Sequence, residues 1–531
     1  MALGLAIGVI SRWRSTSDNK YSFVFSGERD QIDQYLDAVD QIQCSIVSGT
    51  AYDENGAKSA IQMAMLRLAN EMDNLLKLNA AAARSTDNNN IPDSSTYSST
   101  MTDSGSNSYV DDYEYGGSVL SEVIIDDLRS IAQRMNGAGY LGDCKKAFIS
   151  NRKRCIEASY QRLHIQKFSS DDAPRMQWNM LEPIIKVWMK SAKICFRKIF
   201  SYEKQLCGKI FGDDDDDDCF LEISGDRASE LLEIATNLSG IKTASERLFG
   251  ILELYKTCSD LLPEMNKLFD TQSSESFRTK AEQVVAKLAG TACMTIEKFE
   301  KDLLTACMTS IDKSHSLCKY VMDYVFKLEQ NKQTLMELSL SNPPGNGVNF
   351  TITEPQPQNK LPFHVMWIIM CLVSKLECQA QLYKNDSTMN FHLMNNFFYI
   401  VKKINGEPEV REMIGDDCFE DVSSKFDQVK AKYLRLTLAR VLSILQDKMP
   451  LKKRLRKFNA EFNKVQSDLE KCKVPDFQLL KDIRISMEEM LVPPYSSLLE
   501  LLSKSSCLTA DHVKFSVEEL KSAIQGFFPS T

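Results

Sequence analysis

Four groups of residues in this 531-residue chain have types and spacings that could carry chemistry. The first is Gly137-Ala138-Gly139-Tyr140-Leu141-Gly142, which fits GxGxxG. That spacing cradles a pyrophosphate only when a strand precedes it and a helix follows, so that helix N-terminal amides meet the phosphates. Here a helical pattern precedes it, so the expectation is a glycine turn between two helices. The second group is the histidines, His164, His315, His364, His392 and His512. They are scattered through helical contexts, and none stands at metal-ligand spacing from another His or Cys. The third is the unbroken aspartate run from Asp213 to Asp218. It lacks the spaced ligands and glycine of a calcium loop, so it reads as a solvated acidic loop. No P-loop, HExxH or GxSxG string is present. No acid, base and nucleophile converge, so the chain reads as neither an enzyme nor a holder of metal or cofactor.

The fourth group is basic. Between Lys448 and Lys473 stand nine Lys or Arg, against only Glu461, Asp468 and Glu470. The basic residues are Lys448, Lys452, Lys453, Arg454, Arg456, Lys457, Lys464, Lys471 and Lys473. Such a run is either a solvated helix face with acidic neighbours or a surface for anionic lipid headgroups. The whole chain carries a net charge of -8, so bulk attraction to nucleic acid is excluded. Any anion binding must be local.

The elements that would position these residues read as helices throughout. Leu, Lys, Glu and Met are plentiful and Gly is scarce, which favours helix because straight side chains lose little rotamer freedom there. Apolar residues recur at threes and fours over 28–47 and 57–78, and again over 119–135, 141–163, 174–211, 226–239, 275–308, 312–340, 361–384, 388–404, 416–447, 451–471, 475–503 and 516–528. Convincing strands are absent. Residues 1–26 read as irregular, with Tyr21 to Phe25 as a short extended piece. The apolar start, MALGLAIGVI, and the run from Val365 to Val373 are each too short to span a membrane. The first lacks a preceding Lys or Arg and a cleavage pattern, so no secretory signal is expected; the second reads as a buried helix.

Residues 85–117 are dominated by Ser, Thr, Asn, Asp and Gly, and read as a disordered linker. The expected organisation is an N-terminal region at 1–84 with two amphipathic helices, the linker at 85–117, and a helical domain at 118–531. The fold class is all-α, an elongated rod of stacked antiparallel helical bundles. Of 15 cysteines, Cys195, Cys207, Cys258, Cys307, Cys318 and Cys371 read as small core residues. With no CxxC pair, they read as reduced thiols of a cytosolic protein.

One stretch is more specific. Thr243 and Glu246 have capping-box spacing, and Glu246 to Phe269 reads ERLFGILELYKTCSDLLPEMNKLF. It divides into two apolar sets, 243–256 and 259–269, with a turn near Ser259. Its residue order resembles a signature of the plant branch of the exocyst seventy-kilodalton subunit family, Exo70. The segments HSLCKYVMDYVFKLEQNKQTLMEL from His315, HLMNNFFYIVKKINGEPEVREMIGDD from His392 and VPDFQLLKDIRISMEEMLVPPYSSLL from Val474 follow in family order. The resemblance implies a cytoplasmic protein, peripheral at the plasma membrane, that tethers secretory vesicles. It implies other exocyst subunits and a phosphoinositide membrane as partners, with small GTPases or pathogen effectors as further ones, and no nucleic acid. The residues it points to for lipid are Lys452, Lys453, Arg454, Arg456, Lys457 and Lys514. Two departures stand out. The part before Glu28 does not read as helical, so the family's coiled-coil start looks shortened. Asp511 replaces a family Lys. Both favour an alternative, a diverged interaction scaffold outside the exocyst, acting in immunity as a pathogen-effector target.

Overall fold

The computed structural model describes residues 2–13, 23–49, 54–87, 115, 119–169, 176–212, 216–239, 247–305, 314–341, 360–503 and 513–529. Among them every regular element is helical. The chain divides into two units, Met1–Thr295 and Ile296–Thr531.

The first unit opens with α1 (Ala2–Arg12), α2 (Arg29–Val47) and α3 (Glu54–Asp87). Within the stretch 1–26 that reads as irregular, the helix α1 corrects the reading over Ala2–Arg12, while 14–22 lie outside the described residues; α1 packs along α2 and α3. Of the expected extended piece, Tyr21 and Ser22 lie outside the described residues and Phe23 is extended, but Val24 and Phe25 are corrected, because Val24–Ser26 forms a 3-10 turn. Glu71 explains the turn: its buried carboxylate accepts the amides of Val24 at 2.8 Å and Phe25 at 3.3 Å, while Arg67 Nε donates to it at 2.8 Å. An extended segment would leave that carboxylate without its backbone donors. Ala80 to Ala83, the best helix formers, carry α3 past residue 78 into the first residues of the expected linker. Of that linker, 88–114, 116 and 117 lie outside the described residues, and Tyr115, buried, corrects the disordered reading at its position.

The first unit continues through α4 (Glu122–Gly137), α5 (Leu141–Arg162), α6 (Trp178–Ile194), α7 (Ser201–Phe211), α8 (Asp216–Ser239), α9 (Leu248–Leu268) and α10 (Glu275–Thr305), whose end belongs to the second unit. A wide-turn segment, Cys195–Phe200, joins α6 to α7. The helix α3 packs on α4 and α5, and α7 on α4 and α8. Two expectations are corrected here. The helix α8 begins at Asp216, not 226, because Asp217 and Asp218 in its first turn meet the positive end of the helix dipole. The two apolar sets of the signature stretch form one helix, α9. Cys258, buried, keeps Tyr255 in phase with Leu261, so no turn is needed at Ser259, and Pro263 is accommodated inside. Thr243 and Glu246 lie outside the described residues. At Gly250 a Cβ would stand 2.3 Å from the Trp178 ring, so glycine lets α9 approach the start of α6.

A charged group sits inside this unit. Arg152 of α5 and Glu203 of α7 are fully buried and joined by two hydrogen bonds of 2.9 and 2.6 Å. The phenol of Tyr115 donates to Glu203 at 2.7 Å, and its ring lies edge-on to Tyr202, with centroids 5.6 Å apart. Burial alone would lower the Arg152 pKa, but Glu203 outweighs it and holds it well above the ordinary value.

The second unit comprises α11 (Ser314–Gln330), α12 (Lys332–Ser341), α13 (Lys360–Ala380), α14 (Asp386–Gly406), α15 (Pro408–Gln446), α16 (Leu451–Leu469), α17 (Phe477–Ser503) and α18 (Val517–Gln525). The expected single helix at 312–340 breaks at Asn331, between α11 and α12. The long helix α15 is interrupted at Gly415, whose φ of 78° is left-handed, and its regular part begins where the pattern over 416–447 placed it. Leu361–Ala380 is long and apolar enough to cross a membrane. It packs instead on α11, α14 and α15, with Val365, Ile368, Ile369, Leu372 and Leu376 fully buried. Cys195, Cys207, Cys258, Cys318 and Cys371 are buried as expected, and Cys307 lies outside the described residues.

Candidate anion-binding helix face

The inner side of α16 is set by Leu455, Phe458, Phe462, Val465 and Leu469, all buried. Phe458 stacks on Tyr495 of α17 at 4.7 Å, and Phe462 meets Phe515 at 5.4 Å and Phe527 at 5.3 Å. These rings fix the rotation of the helix. At 3.6 residues per turn, the opposite side must then carry Lys452, Lys453, Arg456, Lys457 and Lys464, and all five are exposed. Between them lie Ala460, Asn463 and Ser467, so no carboxylate stands on that arc. Of the three acids nearby, Glu461 pairs with Arg440 at 3.5 Å and Asp468 with Lys471 at 3.3 Å, and Glu470, exposed, caps the far end of the helix just past the arc.

Lys514 comes to this face from another segment. Its Nζ donates to Asn463 Oδ1 at 2.9 Å and lies 4.9 Å from the Phe515 ring centroid. The segment is pinned on both sides. Tyr495 donates to the Phe515 carbonyl at 2.8 Å, and Ser516 and Glu519 form a capping box at the start of α18. Farther on, Arg484 holds the Phe527 carbonyl through bonds of 2.9 and 2.6 Å.

The structure thus gathers Lys452, Lys453, Arg456, Lys457 and Lys514 on one surface. Arg454 is different: it is half-buried toward the inner side, and its Nη2 reaches the Met449 carbonyl at 3.5 Å. Lys464 belongs to the face although the family resemblance does not point to it. Its signal is its spacing, seven residues after Lys457 and eleven after Lys453, which returns it to the same side. Asp511 lies outside the described residues.

The other chemical candidates are placed as follows. Gly137 ends α4, and Leu141 begins α5, so the glycine motif is a helix–helix turn. Gly139 has φ 81°, and the Tyr140 amide closes the turn on the Met135 carbonyl at 2.7 Å. His315, His364 and His392 lie on helices, His164 ends α5 at φ 54°, and His512 lies outside the described residues. His364 pairs with Glu300 at 2.7 Å. Asp216 to Asp218 start α8, where Lys204 reaches Asp217 at 3.4 Å.

Fold and surface together define an all-α bundle protein whose distinctive feature is a charged helix face. Two family models match it. The C-terminal model of the Exo70 exocyst complex subunit covers residues 186–526, and the N-terminal model of exocyst complex component Exo70 covers residues 2–78. The chain belongs to the Exo70 exocyst subunit family, in its plant branch. It is 28% identical over 440 residues to exocyst complex component EXO70B1 of Arabidopsis thaliana, covering 79% of this chain and 69% of that protein. Against EXO70E2 of the same plant it is 26% identical over 559 residues, covering 98% and 86%. The crystal structure of the S. cerevisiae exocyst component Exo70p aligns over 98% of each chain with a TM-score of 0.53 at 12% identity, a likeness of fold.

Proposed function

We propose that the chain works as a subunit of the exocyst, docking secretory vesicles at the cytoplasmic side of the plasma membrane. Its outward face on α16, with Lys514, binds polyphosphoinositide headgroups. Family membership supports the first half. One observation carries the second: five exposed cations share an arc of α16 with no carboxylate on it, over an aromatic core that fixes its orientation. Each cation near an anionic leaflet contributes about 1 kcal/mol, and only a few can face it at once. The contact is therefore weak alone and effective when the assembled complex supplies several.

Sedimentation with liposomes containing a polyphosphoinositide tests the lipid half. The wild type should pellet, and K452E/K453E/R456E/K457E should stay in the supernatant. Unaltered pelleting of that variant would sink the site. For the first half, the tagged chain should recover the other exocyst subunits in near-equal amounts. Against a scaffold outside the complex stands α1, which supplies a helix before Glu28, where the sequence read none.

A further inference from the structure

The helix α13 keeps part of its apolar surface outside the bundle. Beside its buried side run Phe363, Met366, Trp367 and Met370, spaced at threes and fours so that they share one strip. Phe363 is 44% exposed and Trp367 37%, while the two methionines are half-buried. At Met370 the strip enters a cleft of about 370 Å³ between α13 and α15. Met370 and Glu377 line the cleft from α13, and Asp421, Ser424, Gln428 and Val429 line it from α15. Glu377 pairs across it with Lys425. From Phe363 to Glu377 the strip and cleft run along about 21 Å of α13, or about four helical turns. All of this lies within the second unit.

We infer that this cleft docks a basic amphipathic helix of a partner protein. The α13 wall suits the apolar ridge of such a helix. Methionine side chains are unbranched and adapt to ridges of differing shape, and partly exposed aromatic rings supply anchoring area. The α15 wall suits its cations. Between Glu407 and Asp427 eight Asp or Glu stand against Arg411 and Lys425. Both of those cations are engaged, Arg411 with Asp416 at 3.2 Å and Lys425 with Glu377. Asp421 in the cleft and Asp417, one turn before it, are exposed and form no ion pair among the described residues. Cations flanking an apolar ridge would meet these two carboxylates, a complementarity that sets partner choice and orientation. An anionic bilayer would meet like charge here instead. A second copy of this chain fits poorly, because its basic helix α16 already commits its apolar side to Tyr495, Phe515 and Phe527. The cleft is also independent of the α16 face. From Asp417 to Gln446, α15 runs about 44 Å before the chain turns into α16.

The experiment is fluorescence anisotropy of a labelled amphipathic peptide of leucine and lysine, about five turns long, titrated with the full chain. The peptide should bind, and its counterpart with glutamate in place of lysine should not. D417K/D421K should weaken binding about tenfold, with circular dichroism unchanged because both side chains are exposed. D30K/D37K makes the same change of charge on exposed positions of α2 and should bind like wild type. Tryptophan emission should change on adding the peptide, and that change should vanish in Trp367→Phe. A peptide that stays free overturns the inference, and so does a D417K/D421K chain that binds like wild type. An equal loss in D30K/D37K would reduce the attraction to net charge, and an emission change that persists in Trp367→Phe would put the peptide elsewhere; either result sinks the site. If D417K/D421K instead dissolves a dimer seen by light scattering, the cleft holds a second copy of the chain and the assignment falls.

Discussion

In the first unit, Arg152 sits fully buried against Glu203, with the Tyr115 phenol on the same carboxylate. In the second, Lys452, Lys453, Arg456, Lys457 and Lys464 stand in solvent on α16 with no carboxylate on their arc. The residue types are the same, but the dielectric around them is not. Inside, each charge has lost its water and depends on its partner, so the group specifies how α5 and α7 meet. Outside, each keeps its water, adds little to stability, and remains available to an anion. A cluster of charge is informative only once its partners are known.

Breaking the buried member should cost the most. Glu203→Ala leaves the Arg152 guanidinium in the core without a counter-charge, which should cost about 3–5 kcal/mol. Urea unfolding followed by circular dichroism would measure it. The double change Arg152→Met with Glu203→Leu removes both charges and should cost clearly less than Glu203→Ala. A double variant as unstable as the single would mean that the pair itself, rather than the orphaned charge, supplies the stability.

Next in size is the reverse test on α16. In K452E/K453E/R456E/K457E, binding to polyphosphoinositide vesicles should fall by roughly 2–3 kcal/mol, taking a few cations at about 1 kcal/mol each. The urea midpoint should stay within about 0.5 kcal/mol of wild type, because exposed charges contribute little to folding. A variant that lost stability as well as binding would erase the distinction between the two regions.

Which of these regions is legible in the sequence follows from the same physics. The α16 face is, because Leu455, Phe458 and Phe462 declare a buried side at helical spacing and the cations fall opposite. Even there, proximity in the chain sorts Arg454 and Lys464 wrongly. The Arg152–Glu203 group is not legible, since its partners are 51 residues apart and both types are usually exposed. The helical class is readable almost everywhere, and its errors have local causes. With Cys258 left out of the apolar pattern, α9 looks like two helices. Aspartates read as loop formers, although a helix N-terminus stabilises them, so α8 is expected to begin too late. In α1, glycines among the apolar residues hide a helix that packing makes plain.

Tyr115 tests a single hydrogen bond within the buried group. Burial, and then the Glu203 carboxylate, holds its phenol protonated, well above the ordinary value. Tyr115→Phe removes one donor to a buried charge and should cost about 1.5 kcal/mol. That is well short of Glu203→Ala, because both Arg152 hydrogen bonds to Glu203 remain. A loss equal to that of Glu203→Ala would make the phenol, not the guanidinium, the essential partner.

Asp476 stands between the two extremes and gives the smallest effect. It precedes α17, is half-buried, and accepts the amides of Gln478 at 2.8 Å and Leu479 at 3.2 Å as a helix cap, while Lys402 pairs with its other oxygen. Burial pushes its pKa up, but Lys402 and the two amides outweigh burial, so the folded value lies below the ordinary 3.8. A carboxyl depressed on folding contributes stability that is fully present above the unfolded value and is lost as pH falls through the folded one. Asp476→Ala should therefore cost about 1 kcal/mol at neutral pH, and the gap from wild type should narrow as pH drops below 3.8. Urea midpoints across that range measure it. A gap constant down to the lowest pH would mean that the carboxylate charge contributes nothing. Asp476 would then behave like the solvated charges of α16 and not like a weaker version of Glu203.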